Sequence, residues 1–173
     1  MRLALVLAAS LFSSVVGAVP LRVSPSERQE LTSLARRFFE STRDGARSPA
    51  NIYPSRADLM ALFSTVETLP GPVRAPARTT PNEAVVLRQL GSIDRDVQAL
   101  RERFHGGTFV GLTGVLAREG TLRQRGCGRF ARRDSVCADG LILEYRVGTE
   151  TRRFNIDTLV RVGSRWRILD VRH

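Results

Sequence analysis

Residues 159–171 read Leu-Val-Arg-Val-Gly-Ser-Arg-Trp-Arg-Ile-Leu-Asp-Val. Two short apolar runs flank a Gly163-Ser164 pair, the composition of a tight turn between antiparallel strands. Reading backwards from this hairpin, Thr151 to Val162 forms the strand that enters the turn, and Gly148-Thr149-Glu150 turns it out of a strand over Leu141 to Val147. In that strand Leu141, Leu143, Tyr145 and Val147 fall on one face, with Glu144 and Arg146 on the other, which is the period of a half-buried strand. Farther upstream, Thr108 to Ala117 is a strand whose Gly111 and Gly114 predict a bulge or bend, and Glu119-Gly120 turns it into Thr121 to Arg125. The second half of the chain is therefore a curved antiparallel meander. Phe154, Ile156, Leu159, Val160, Trp166, Ile168 and Val171 supply its core.

The pattern before residue 108 is helical. Ser24-Pro25-Ser26-Glu27 has the form of a capped start, with Ser24 as N-cap, Pro25 in the first turn and Glu27 reaching back. Leu31, Leu34, Ala35, Phe38 and Phe39 follow at spacings of three and four until Gly45. A shorter helix starts at Ser55, with Asp58 in the capping position and Leu59, Leu62, Phe63 and Val66 as its buried side. Residues 68–81 hold Pro70, Pro72, Pro76 and Pro81, a connector that cannot propagate a helix. The third helix opens at Thr80-Pro81-Asn82-Glu83 and carries a seam of Val86, Leu90, Ile93, Val97, Leu100 and Phe104 before His105-Gly106-Gly107 ends it. Such a seam would serve a second copy in a homodimer, but the sheet that follows at once favours packing within the chain.

The first eighteen residues read as a cleavable leader. Arg2 gives a positive start, Leu3 to Val16 is apolar apart from three serines, and Val16-Gly17-Ala18 offers small residues for cleavage ahead of Pro20. The apolar run is shorter than the roughly 20 residues of a membrane span. Residues 19–173 then form one domain, exported to the periplasm or outside the cell. In such an oxidising space Cys127 and Cys137, the chain's two cysteines, pair as a disulfide across a loop spanning residues 126–140. A zinc or redox pair is disfavoured, because there is no C-x-x-C, second Cys pair or adjacent His. The sequence points to no metal site and no cofactor.

The chain has a formal net charge of +10, and all 27 basic residues are Arg. Nucleic-acid binders concentrate such charge and interleave aromatics, whereas here the arginines are dispersed and aromatics scarce, so no nucleic-acid partner is expected. An anionic envelope component, a lipid headgroup or an acidic polymer, suits the charge better. Arg129, Arg132 and Arg133, inside the cysteine loop, are the candidate anion-binding residues, with Asp134 and Asp139 close enough to neutralise them.

Three helices feeding a curved antiparallel meander, closed by the 159–171 hairpin, resemble the nuclear transport factor 2-like (SnoaL-like) superfamily. Exported bacterial members end in a similar strand, glycine turn, Trp and Ile. The resemblance implies an α+β fold, with N-terminal helices packed on a curved antiparallel sheet that encloses a cone. It departs from the family in lacking a strand between the second and third helices, and a cystatin-like sheet packed on one long helix is the alternative. In this superfamily the cone binds a small apolar ligand, performs acid/base chemistry or is filled with core. The fold therefore hosts functions without selecting one. On the resemblance Asp170 and Tyr145 are the candidate catalytic pair, and Trp166 and Tyr145 the candidate ligand-lining residues. For each there is a plainer role: an exposed or Arg-paired carboxylate for Asp170, and packed aromatics for the other two. His105 reads as a helix C-terminal residue, and His173 ends the chain. The expectation is an exported, non-catalytic binding or envelope-associated protein; the alternative is a small-molecule isomerase or hydrolase acting in the cone.

Overall fold

A computed structural model describes residues 20–45, 51–63, 83–113, 121–125, 127, 131–132 and 134–171. Its elements are β1 (Pro20–Arg22), α1 (Pro25–Arg43), α2 (Arg56–Leu62), α3 (Glu83–Phe104), β2 (Gly107–Thr113), β3 (Thr121–Arg125), β4 (Cys137–Asp139), β5 (Leu141–Val147), β6 (Glu150–Ile156), β7 (Thr158–Val162) and β8 (Arg165–Asp170). All strand pairs are antiparallel, in two sheets ordered β1-β3-β4-β7-β8 and β2-β5-β6, so the chain is α+β. The leader and the proline-rich connector lie outside the described residues.

Two of the three predicted helix starts, at Ser24 and Ser55, form capping boxes; the third, at Thr80, lies outside the described residues. Ser24 Oγ accepts the Glu27 N–H at 3.2 Å while the Ser24 N–H donates to Glu27 Oε2 at 3.0 Å. Ser55 and Asp58 repeat the exchange at 3.1 and 2.8 Å. Each cap satisfies two amide donors that a helix end would leave bare, and contributes about 1 kcal/mol.

The two sheets are joined by one ladder. β4 runs into β5 through Gly140, and β6 runs into β7 through Asp157, with register unbroken from Cys137↔Val160 through Leu141↔Ile156 to Val147↔Glu150. At Gly140 φ is +97°, a conformation that a side chain would oppose, so the glycine lets the strand pass from one sheet to the other. Arg123 grips Asp139 at 2.8 and 3.1 Å, and Arg125 lies 3.8 Å from Asp139 and 3.6 Å from Asp157, bracketing the same bend.

This arrangement corrects three expectations. Residues 126–140 are not all loop, because Cys137–Asp139 pairs with β3 and β7 and buries Cys137 and Ala138. The strand expected over Thr151 to Val162 is divided at Asp157. β3 does not fold back on β2: Thr113 pairs with Ile142 and Arg123 with Asp139, so both strands lie along the same neighbour. The glycine expectation does hold at Gly111, where the register shifts by one residue after Phe109.

β8 ends its sheet, yet its outward edge is sealed by the helical half of the chain. The Trp166 N–H donates to Glu30 Oε1 on α1 at 3.0 Å, and the Ile168 N–H to the Ile52 carbonyl at 2.9 Å. Gln89 Nε2 on α3 donates to the Leu169 carbonyl at 2.6 Å. Trp166, Ile168 and Leu169 are all buried, so water cannot do this work.

Two apolar clusters result. Leu34, Phe38, Phe39 and Phe104 pack with Tyr145, Phe154 and Trp166 in the larger one. Leu59, Leu62, Phe63 and Val86 pack on Val160 and Leu169 in the smaller. α3 serves both, with Val86 and Leu90 in the smaller cluster and Ile93, Leu100 and Phe104 in the larger. The seam is thus used within the chain along its length of about 33 Å. Phe104, fully buried and in ring contact with Phe38, Phe39, Tyr145 and Phe154, is the pivot of the larger cluster. Phe104→Ala is expected to cost about 3–5 kcal/mol, measured by urea unfolding, whereas an exposed change on the same helix, Gln98→Ala, stays within about 0.5 kcal/mol.

Candidate functional site

The first place to look for a site is the interior between the helices and β5, where Tyr145 was expected to line a pocket. Tyr145 is fully buried, with ring centroids 5.3 Å from Phe39 and 5.1 Å from Phe104. Gly107 closes the space beside it: a Cβ there would lie 3.0 Å from Phe39 Cζ and 3.3 Å from Tyr145 Cδ2. The Tyr145 hydroxyl is buried and has no hydrogen-bond partner. Arg152, its cross-strand neighbour, is held charged mainly by Glu150 and only weakly by the Tyr145 oxygen, which it approaches without meeting hydrogen-bond geometry.

Asp170 lies elsewhere, half-buried at the end of β8 and opposite Thr158 across a bulge in the other sheet. No hydrogen bond joins it to Tyr145. Trp166 is 1% exposed, with the Arg161 guanidinium 5.4 Å from its ring centroid, and its indole N–H is buried without a partner. Tyr145 and Trp166 thus pack as core aromatics. Sequence reasoning missed Tyr53, whose buried hydroxyl also lacks a partner; burial first, then Asp96 and Asp94, push its pKa above the usual phenol range. Nothing in the local sequence marks that position, because its burial comes from segments far along the chain.

The second place is the cysteine loop. Cys127 and Cys137 form a disulfide, and Cys137 is fully buried in the smaller cluster. The loop is tied to α2 by the Arg132 N–H, which donates to the Leu62 carbonyl at 2.9 Å. Arg132 is exposed, but its guanidinium already holds Asp134 through two bonds of 3.1 and 3.0 Å. Arg129 and Arg133 lie outside the described residues. A groove of about 320 Å³ beside the loop is lined by Asp58, Leu62, Arg132, Asp134 and Arg161, so its charges are mixed.

A third place was not anticipated. The outward face of α1 forms an open groove of about 410 Å³ lined by Pro25, Arg28, Gln29, Thr32, Ser33 and Arg36, with no carboxylate among them. Arg36 lies 5.4 Å over the ring of Phe109 on β2, and Arg37 donates to Ser33 Oγ at 3.1 Å. The signal was present in the sequence as polar residues at spacings of three and four, but an exposed polar stripe is what every amphipathic helix shows.

Comparison of the chain with protein-family models, with curated proteins and with solved structures finds no match in any of the three. Among the described residues no group of three or more His, Cys, Asp and Glu side chains is placed to hold a metal ion, and no helix is long and apolar enough to cross a membrane.

Two predictions follow from these contacts. Reducing the disulfide is expected to lower stability by about 3 kcal/mol, read as a drop in urea midpoint on adding dithiothreitol, with Cys127→Ser/Cys137→Ser insensitive to the reductant. The Glu27 carboxyl is held below the ordinary value of 4.5, first by the Ser24 backbone N–H and then by the Ser24 hydroxyl and Arg161, against a burial penalty. The unfolded chain therefore binds that proton more readily. The resulting stability is complete above about pH 4.5 and disappears as pH falls through the lower folded-state value. Glu27→Gln should flatten the acid limb of a thermal-midpoint-versus-pH curve; an unchanged slope would show that Glu27 does not contribute.

Proposed function

We propose that this chain is an exported, non-catalytic binding protein of the nuclear transport factor 2-like type, which meets an anionic envelope component through its surface arginines. The observation that carries the reading is the close packing around Tyr145 among the described residues. Phe39, Phe104 and Gly107 leave no room beside its ring for a bound substrate, which turns recognition to the outer surface. Helices ahead of a bent antiparallel meander support the family reading. The disulfide supports residence in an oxidising compartment, and with it removal of residues 1–18. With 27 basic against 17 acidic residues, attraction to anionic material is the one long-range force the surface supplies.

Fractionation of expressing cells, followed by N-terminal sequencing, tests export; a mature chain beginning at Val19 outside the cytoplasm is expected. Adsorption of the purified protein to envelope fragments, reversed by salt, tests the binding. Adsorption that salt does not weaken would overturn the electrostatic basis.

The competing reading, a small-molecule enzyme using Asp170 and Tyr145, draws on the partnerless Tyr145 hydroxyl, one of several buried polar atoms without a hydrogen-bond partner. The two readings part on a single substitution. If Tyr145 is a core residue, Tyr145→Phe removes an unsatisfied buried hydroxyl and raises the unfolding free energy by about 1 kcal/mol, with adsorption unchanged. A loss of adsorption or of stability would return the interior to consideration.

A further inference from the structure

We infer that the outward groove of α1 is the site at which this protein binds a single extended polyanion of the phosphate-bearing class, an inference that rests on the anion-binding reading above. The argument begins with how charge is distributed around the helix. α1 carries three carboxylates: two act away from the groove, and Glu40, exposed one turn beyond Arg36 in the same row, is not among the residues that line it. Glu27 is held by its own cap and by Arg161. Glu30 accepts the Trp166 N–H on β8, and Glu40 acts on Arg43. The opposite face keeps Arg28, Arg36 and Arg37 with Gln29, Thr32 and Ser33. Over residues 25–37 the helix is thus acidic towards the closing hairpin and basic towards solvent.

The groove is also prepared for an anion. Arg36 makes no ion pair among the described residues, and it lies over the Phe109 ring, which supports the guanidinium from below and leaves its N–H fork available. Ser33 accepts from Arg37, so its own hydroxyl proton remains to be donated. Gln29 adds an amide. Gln29, Ser33 and Arg37 form one i, i+4 row, and Arg28 and Arg36 stand in the next, so polar groups recur at about 6 Å along the axis. A row of that length matches a chain bearing regularly spaced oxyanions better than one compact ion. Guanidinium forks favour the tetrahedral oxygens of phosphate. A flat lipid surface is the poorer fit, because the exposed large apolar side chains among the described residues, Leu87 and Val110, are both off α1. The mixed-charge groove at the cysteine loop is poorer still, since Arg132 is committed to Asp134.

The test uses the folded, disulfide-bonded protein and fluorescently labelled inorganic polyphosphate, with binding read by anisotropy across a salt series. Arg36→Gln/Arg37→Gln is compared with Arg132→Gln/Arg146→Gln, which removes the same charge from other surfaces; unchanged thermal midpoints establish that both fold. The α1 pair should weaken binding roughly tenfold and lower the salt slope by about 1.4, at ~0.7 per lost contact on a flexible strand, while the control pair changes affinity less than about twofold. Equal losses in both pairs would overturn the site, leaving only net charge. Anionic phosphatidylglycerol vesicles that bind as tightly as polyphosphate, with the same dependence on Arg36 and Arg37, would overturn the single-chain ligand in favour of a membrane surface. Orthophosphate that displaces polyphosphate at equal phosphate concentration would overturn the extended-chain requirement. A wild-type protein that ignores polyphosphate yet adsorbs to envelope fragments would end this assignment and spare the broader reading; one that binds neither would end both.

Discussion

The edge of β8 constrains everything around it. A strand that ends a sheet exposes amide and carbonyl groups, and here those groups lie where Trp166, Ile168 and Leu169 are buried and water has no access. Each must find a partner in the protein or cost about 1–3 kcal/mol. The partners are a carboxylate on α1, a carbonyl at Ile52 and an amide on α3. Because these come from three separate parts of the helical half, satisfying one strand fixes the helical layer against the sheet. The aromatic cluster then packs into whatever volume that docking leaves.

That order of dependence bears on function. Once α1 and α3 are held at the β8 edge, the phenyl rings of Phe38, Phe39 and Phe104 meet one another and Tyr145, and the enclosed space is spent on packing. The same docking turns Glu27 and Glu30 inward, which is why residues 25–37 of α1 show solvent a face without acids. A basic outward surface and a filled interior are therefore two results of one arrangement.

Much of the local structure was legible in the sequence. The Ser24 and Ser55 caps, the buried face Leu31 to Phe39, the α3 seam and the alternation from Leu141 to Val147 all follow from rules that act within one element, and the structure follows them. The bulge at Gly111 was legible for the same reason. What escaped depends on partners distant in the chain. β4 was hidden because Cys137 and Ala138 are too few to show a period, and only β3 and β7 together make them a strand. β1, three residues that begin at Pro20, had no pattern to read. The division at Asp157 and the path of β3 required knowing that one ladder crosses both sheets. For the candidate site, the sequence named Tyr145 and Trp166 correctly as inward-facing but could not say whether space surrounded them. It placed Asp134 beside the arginines of the cysteine loop, and the structure shows Arg132 bound to it, while Arg129 and Arg133 lie outside the described residues.

The Glu30 contact with Trp166 joins residues 136 apart, and the Glu27 contact with Arg161 joins residues 134 apart. Topologies that rest on such distant pairings close slowly, since the intervening chain must be gathered before any contact repays it. α3 and β2 reach the first helix earlier, but its Glu27 and Glu30 contacts form only once β7 and β8 have been made. During synthesis the edge of the helical layer that meets the closing hairpin consequently stays unsatisfied until the last few residues.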